Sequence, residues 1–266
     1  MERDRKPIGV FDSGVGGISV LRELIALMPN ENYIFYGDSA HAPYGMKTLE
    51  EVRELTCADA EHLLRQNVKA LVVACNTATS AAIVTLRQRY SDMPIIGIEP
   101  ALKPAVLSGE CPRVLVMATP MTLREEKFHQ LMERFRERAR ILPVPCPGLV
   151  EFIERGELAG ERLELFLAEL FASYQSEPID CVVLGCTHYP FVRDVIGQVL
   201  GGDVKIFDGG AGTARETHRR LLECGLLNTQ ETCGTVTLQN SLADPALGAL
   251  ARRLLGEDKK VLKKSK

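Results

Sequence analysis

The chain lacks the marks of several common protein classes. Its eight cysteines include no CxxC pair, which argues against a structural zinc site or a redox dithiol. Eight thiols in 266 residues are also too sparse for a disulfide scaffold, so a cytoplasmic protein with reduced thiols is expected. No apolar run approaches the ~20 residues of a membrane span. The start, MERDRKPIGV, turns straight into a strand pattern with no apolar signal segment. A net charge of −3 gives no general attraction to nucleic acid or anionic membrane. The basic tail KKVLKKSK reads as a short solvated terminus. Nucleotide fingerprints are missing too. The cluster Asp12-Ser13-Gly14-Val15-Gly16-Gly17 needs a glycine at 19 to complete GxGxxG, and Ser19 stands there. Gly45-Met46-Lys47-Thr48 is not the Gly-Lys-Ser/Thr of a P-loop.

What is present is a 45% hydrophobic chain, long enough to bury one large core or two moderate ones. Short apolar runs alternate with helical periodicity throughout, which predicts an α/β protein with mainly parallel sheets flanked by helices. Ile8–Phe11 reads as the first strand and Tyr33–Tyr36 as the second. Thr48 and Glu51 form a capping box for a helix that follows. The pattern restarts after Pro112, with a strand at Val114–Met117 and one long amphipathic helix expected to about Arg138. Near the end, Thr235–Gln239 reads as an edge strand and Pro245–Leu255 as a helix. Two related, pseudo-symmetric α/β domains are expected, residues 1–99 plus 207–266 and residues 100–206. Open α/β sheets bind ligands beyond the carboxyl ends of their strands, here in the cleft between the domains.

Residues 181–190, CVVLGCTHYP, carry the sharpest chemical signal. Four apolar residues make a strand, Gly185 opens a turn, and Cys186, Thr187 and His188 stand where a helix is expected to begin. A thiol at a helix N-terminus meets the positive end of the helix dipole, which favours thiolate. Taken alone, such a cysteine is as readily a small buried hydrophobe. Residues 70–79, ALVVACNTAT, repeat the pattern without a gap and set Cys75 on Cys186. Two thiols facing one carbon make a specific reaction possible. One removes a proton from one face while the other delivers a proton to the opposite face, inverting the centre. Thiols suit this role because their pKa near 8.5 is readily moved. Asp12, Glu151 and His188 are candidate partners of the thiols, although Asp12 also fits a plain helix cap. Other readings use part of the same set. Cys186 and His188 offer two metal ligands with no third nearby, or a papain-like nucleophile and base that leaves Cys75 without a role. A carboxylate-binding module has use for Ser13, Asn76, Thr77 and Thr187 but none for paired thiols.

The strings IGVFDSGVGG, GDSAHAPYG, ACNTAT, CPGLVEF and GCTHYP and the turn at Asp208 are together more specific. In their order and spacing the chain resembles the cofactor-independent glutamate racemases of bacteria, in the aspartate/glutamate racemase family, from Ile8 to about Glu223. The resemblance implies an isomerase that interconverts L- and D-glutamate and supplies D-glutamate for peptidoglycan. It implies Cys75 and Cys186 as the two acid/base residues, the first deprotonating the D-isomer and the second the L-isomer. Asp12 is then expected to assist Cys75 and His188 to assist Cys186, with Glu151 also in the cleft. Substrate binding falls by the same resemblance to Asp12, Ser13, Tyr44, Gly45, Asn76, Thr77, Thr119, Thr187 and His188. No pyridoxal phosphate, metal or nucleotide is expected, and a homodimer is. A racemase of aspartate or another small dicarboxylate is the alternative. His41, where an arginine is frequent, and Gly209, where serine is common, are departures that touch no proposed acid or base.

Overall fold

The computed structural model describes residues 3–256, and the tail KKVLKKSK lies outside them. The first half runs β1 (Ile8–Asp12), α1 (Ile18–Leu27), β2 (Tyr33–Gly37), α2 (Leu49–Leu64), β3 (Ala70–Val73), α3 (Asn76–Arg89), β4 (Ile95–Gly97) and α4 (Leu102–Val106). The second half runs β5 (Arg113–Ala118), α5 (Pro120–Arg124), α6 (Glu126–Glu133), β6 (Arg140–Pro145), α7 (Leu149–Glu154), α8 (Glu161–Phe171), β7 (Cys181–Leu184), α9 (Arg193–Val199) and β8 (Lys205–Asp208). The chain ends in α10 (Gly210–Glu223), β9 (Val236–Asn240) and α11 (Pro245–Leu255). Thr48 caps α2 with the expected box: its hydroxyl accepts from the Glu51 N–H, and the Glu51 carboxylate accepts from the Thr48 N–H.

The strands form two parallel sheets, ordered β4-β3-β1-β2-β9 and β6-β5-β7-β8. Read from the far edge, the second sheet is β8-β7-β5-β6, which repeats β4-β3-β1-β2 strand for strand. The restart in the sequence is therefore a repeat of topology, and β9 is an addition at one edge. In each sheet the first strand sends the chain one way and the third strand lies on its other side. A crevice opens at such a switch point, at the carboxyl ends of β1 and β3 and of β5 and β7.

Both central strands of the first sheet are buried end to end, which is why β1 and β3 read as unbroken apolar runs. One face is covered by α1, α10 and α11, through Ile18, Leu21, Leu24, Leu221 and Leu254, and the other by α2 and α3. The second sheet is covered by α7, α8 and α9 on one side and by α4 and α6 on the other. Each fully buried Leu or Ile here contributes about 1.5–3 kcal/mol relative to exposure. The chain crosses between the domains twice, in the stretch leading to α4 and again after β8. The crossings touch: a Cβ on Gly209 would lie 2.5 Å from the Glu99 carbonyl.

Two expectations are corrected. The long helix to about Arg138 is two helices, α5 and α6, because Glu125 takes an extended conformation (ψ 136°) between them. No proline or glycine marks that break. After Cys186 the chain forms a 3-10 turn at Tyr189–Val192 and becomes α-helical only at Arg193. Cys186 therefore does not stand at an α-helix N-terminus.

Candidate active site

Cys75 follows β3 and is the N-cap of α3. Its sulfur accepts from the Ala78 N–H at 3.4 Å, and its thiol donates to Ser13 Oγ at 3.5 Å. Those N-terminal N–H groups have no partner within the helix, so the sulfur satisfies one of them. Burial and, next, the charge of Asp12 push the Cys75 thiol up to about 12. The charge of Cys186 acts in the same direction, which places both sulfurs in one electrostatic environment. At neutral pH Cys75 is a thiol.

Asp12 ends β1 and is fully buried. Its Oδ1 accepts from the Thr187 hydroxyl at 3.0 Å, and its Oδ2 from the Gly14 N–H at 3.2 Å. Burial holds this carboxyl above the usual range, while His188 and the Thr187 hydroxyl pull it back down. Asp12 comes from the first domain and Thr187 from the second, so the bond spans the cleft. Ser19 adds a second tie, its hydroxyl donating to the Thr187 carbonyl at 2.8 Å.

Cys186 follows β7 and lies 3.6 Å from His188 Nδ1. The other ring nitrogen, Nε2, lies 2.7 Å from Glu154 Oε1, and the same oxygen accepts from the Val15 N–H at 2.8 Å. Burial pulls the His188 pKa down, but its hydrogen bonds with Cys186 and Glu154 outweigh that and leave it well above the ordinary histidine value. Burial acts to raise Glu154, and the bond to His188 overcomes it, so the carboxyl ends below its usual value. Imidazolium and carboxylate are thus the stable forms of the pair. Removing one partner of such a buried pair leaves an uncompensated charge, at a cost of about 3–5 kcal/mol. The glycine turn of the first domain makes this contact possible. A Cβ on Gly16 would run into the His188 ring, and one on Gly14 into the Glu154 carboxylate.

Glu151, the carboxylate expected in the cleft, is half-buried on the first turn of α7, where its charge acts on Tyr189. The residue brought to His188 is Glu154, three positions on. Positions three apart share a helix face, so Glu151 and Glu154 lie on one side of α7.

The remaining residues gather around these groups. Thr77, at the start of α3, meets the second domain through a triangle of hydroxyls. Thr77 Oγ1 lies 3.1 Å from Thr119 Oγ1 and 3.2 Å from Thr122 Oγ1, and the last two are 3.0 Å apart. Thr122 was absent from the sequence expectations, although it stands three residues after Thr119 with the same chemistry. Both amide atoms of Asn76 are buried and meet no hydrogen-bond partner among the described residues. Gly45 packs on Thr119, where a Cβ would lie 2.5 Å from the threonine Cβ. The Tyr44 hydroxyl is held by Asp38 and Asp59.

The sequence profile of the Asp/Glu/hydantoin racemase family matches residues 8–217. A glutamate racemase of Clostridium botulinum is 54% identical over 255 residues, covering 96% of this chain and 99% of that protein. Among solved structures, the glutamate racemase of Francisella tularensis in complex with D-glutamate superposes with a TM-score of 0.83 at 30% identity, over 95% of this chain and 94% of that one. The Escherichia coli glutamate racemase, in complex with L-glutamate and the activator UDP-MurNAc-Ala, gives a TM-score of 0.84 at 29% identity, over 95% of each chain.

Proposed function

The chain belongs to the Asp/Glu/hydantoin racemase family, and on that premise we propose that it interconverts L- and D-glutamate by proton transfer between two thiols. The observation that carries the reading is the pair Cys75 and Cys186, on equivalent turns of two repeated sheets, with the charge of Cys186 reaching the Cys75 thiol. A single thiol serves hydrolysis or metal binding as well; two on opposite sides of one site serve inversion. The relatives bound to D-glutamate and to L-glutamate support the substrate.

The resting site is set for one direction. Cys75 is held as a thiol by burial and Asp12. His188, whose Nδ1 lies 3.6 Å from Cys186 and whose Nε2 is held by Glu154, is placed to assist proton transfer at that sulfur. In this direction Cys186 takes the α-proton from L-glutamate, and Cys75 delivers its own to the opposite face. The return reaction begins once Cys186 carries the proton and Cys75 does not. The α-proton beside a carboxylate is very weakly acidic, so the site must stabilise charge that develops on that carboxylate. The N–H groups opening α3, the unpaired Asn76 amide and the hydroxyls of Thr77, Thr119 and Thr187 are the donors in place. With Cys75 5% and Cys186 8% exposed, glutamate enters only when the domains part, and closure then dries the site. We assign the D-glutamate formed to peptidoglycan synthesis, and the protein to the cytoplasm as a homodimer.

The deciding experiment is incubation of each enantiomer in D₂O with no added cofactor, following optical rotation and the Cα–H signal. Inversion with deuterium uptake at Cα is expected. Inversion without uptake would refute the two-thiol route, and glutamate binding without inversion would refute racemisation. A parallel run with aspartate measures how strictly the side-chain length is read.

A further inference from the structure

Beneath the Tyr44–Gly45 turn lies a cluster that the proton transfers at Cα do not use. The Tyr44 hydroxyl is 2.7 Å from Asp38 Oδ2 and 2.8 Å from Asp59 Oδ2. On its far side, Asp38 holds His41 Nδ1 at 2.9 Å from both carboxylate oxygens. Tyr44, Asp38 and Asp59 are all buried. Asp38 follows β2, His41 closes a 3-10 turn, Tyr44 opens the next one, and Asp59 projects from the middle of α2.

Counting hydrogens decides how this cluster works. A phenol has one hydrogen and can donate it once, yet two carboxylate oxygens stand within hydrogen-bond distance of it. With both carboxyls ionised, one of those contacts sets lone pair against lone pair in a buried site. The cluster therefore holds one further proton on a carboxyl. Asp38 already has a ring N–H as its partner and serves best as the acceptor. Every group is then satisfied by a directed chain: Asp59 O–H to Tyr44 Oη, Tyr44 O–H to Asp38, and His41 Nδ1–H to Asp38. We propose that Asp59 is a positioning residue of the glutamate site. It carries the proton that Tyr44 accepts, and the chain so formed holds the Tyr44–Gly45 turn against Thr119.

The surroundings agree with that placement. Burial, then the charge of Asp38, raises Asp59 to about 7, with Asp12 adding to the rise and Tyr44 and His41 opposing it. Tyr36 faces the same two carboxylates and is itself raised by burial and by them. The proton is thus present below about pH 7 and is lost as pH rises through that value. Loss removes the first donor of the chain, and the turn carrying Tyr44 and Gly45 loosens. Substrate binding then weakens, while the thiols that carry out the chemistry are untouched.

This inference rests on the glutamate racemase reading, so its test has one readout that needs no turnover. KM and kcat for glutamate are measured from about pH 6 to about pH 9, spanning the Asp59 value of about 7, in wild type, Asp59→Asn and Asp59→Ala. Wild-type KM should rise with pH while kcat holds. Asp59→Asn, whose amide donates at every pH, should keep a low and flat KM. Asp59→Ala should show a KM about tenfold higher throughout, the loss expected for one buried hydrogen bond. An Asp59→Asn enzyme whose KM rises as wild type does, or an Asp59→Ala enzyme with wild-type KM, overturns the proposal. Infrared spectra of the unliganded protein provide the independent arm, whether or not a variant folds. A buried protonated carboxyl band that disappears through the same pH range supports the proton on Asp59, and no such titrating band refutes it. Absence of racemisation in wild type would instead refute the function while leaving the infrared result to judge Asp59.

Discussion

Cys75 and Cys186 leave equivalent strands, β3 and β7, from nearly matching sequences, and yet they are given different partners. Cys75 caps a fourteen-residue helix, meets a serine hydroxyl and sits near a buried carboxylate that opposes its ionisation. Cys186 leads into a 3-10 turn and meets an imidazole that a second carboxylate holds in its charged form. The carboxylates Asp12 and Glu154 therefore act on different groups. Asp12 opposes ionisation of the Cys75 thiol directly, and Glu154 holds His188 in its charged form beside Cys186. Two similar turns are thus set in two different surroundings.

The largest expected effect tests whether the two thiols are equally necessary. Cys75→Ala and Cys186→Ala should each lower racemisation by at least about 10²–10⁴-fold, the range that acid–base groups contribute. Polarimetry on both enantiomers checks it, and a near-normal rate in either variant removes that thiol from the reaction. Glu154→Gln should lower kcat/KM by about 10²-fold. Enantiomers have equal free energies, so the loss must be the same in both directions, and the asymmetry has to be sought elsewhere. Slowing only the Cys186 step should raise the primary isotope effect with α-deuterated L-glutamate and lower it with the D-isomer. Equal isotope effects would mean that Glu154 serves both halves. Asp12→Asn removes a charge that raises Cys75, so thiolate absorbance should develop at lower pH than in wild type, where burial and Asp12 hold the thiol up to about 12. An unchanged titration would leave burial as the whole cause. The smallest effect is expected from Ser13→Ala, which deletes a hydrogen bond of about 0.5–1.5 kcal/mol and should slow turnover only about two- to tenfold. A drop as large as that of Glu154→Gln would make Ser13 the counterpart of His188.

Much of this was legible in the sequence because it depends on short-range pattern. Strands buried on both faces read as apolar runs, and the gap-free match of ALVVACNTAT to CVVLGCTHYP anticipated the repeated sheet order. Tertiary placement decided the rest. Glu154, which no sequence pattern singled out, meets His188 because of how α7 is set against the Gly14–Gly16 turn. The helix expected after Cys186 gives way to a 3-10 turn, and His188, just before it, reaches both Cys186 and Glu154. Nothing local distinguishes Asp59 from any other acid on α2; only the fold brings Tyr44 between it and Asp38.

The two crossings between the domains lie side by side at Glu99 and Gly209. Two adjacent pins leave a door one way to swing. Rotation about that line moves each part of the cleft in proportion to its distance from the pins, so the far rim sweeps the largest arc for a given turn. The ties of Thr187 to Asp12 and Ser19, and of Glu154 to the Val15 N–H, lie away from the pins and are the latches that such a swing has to release.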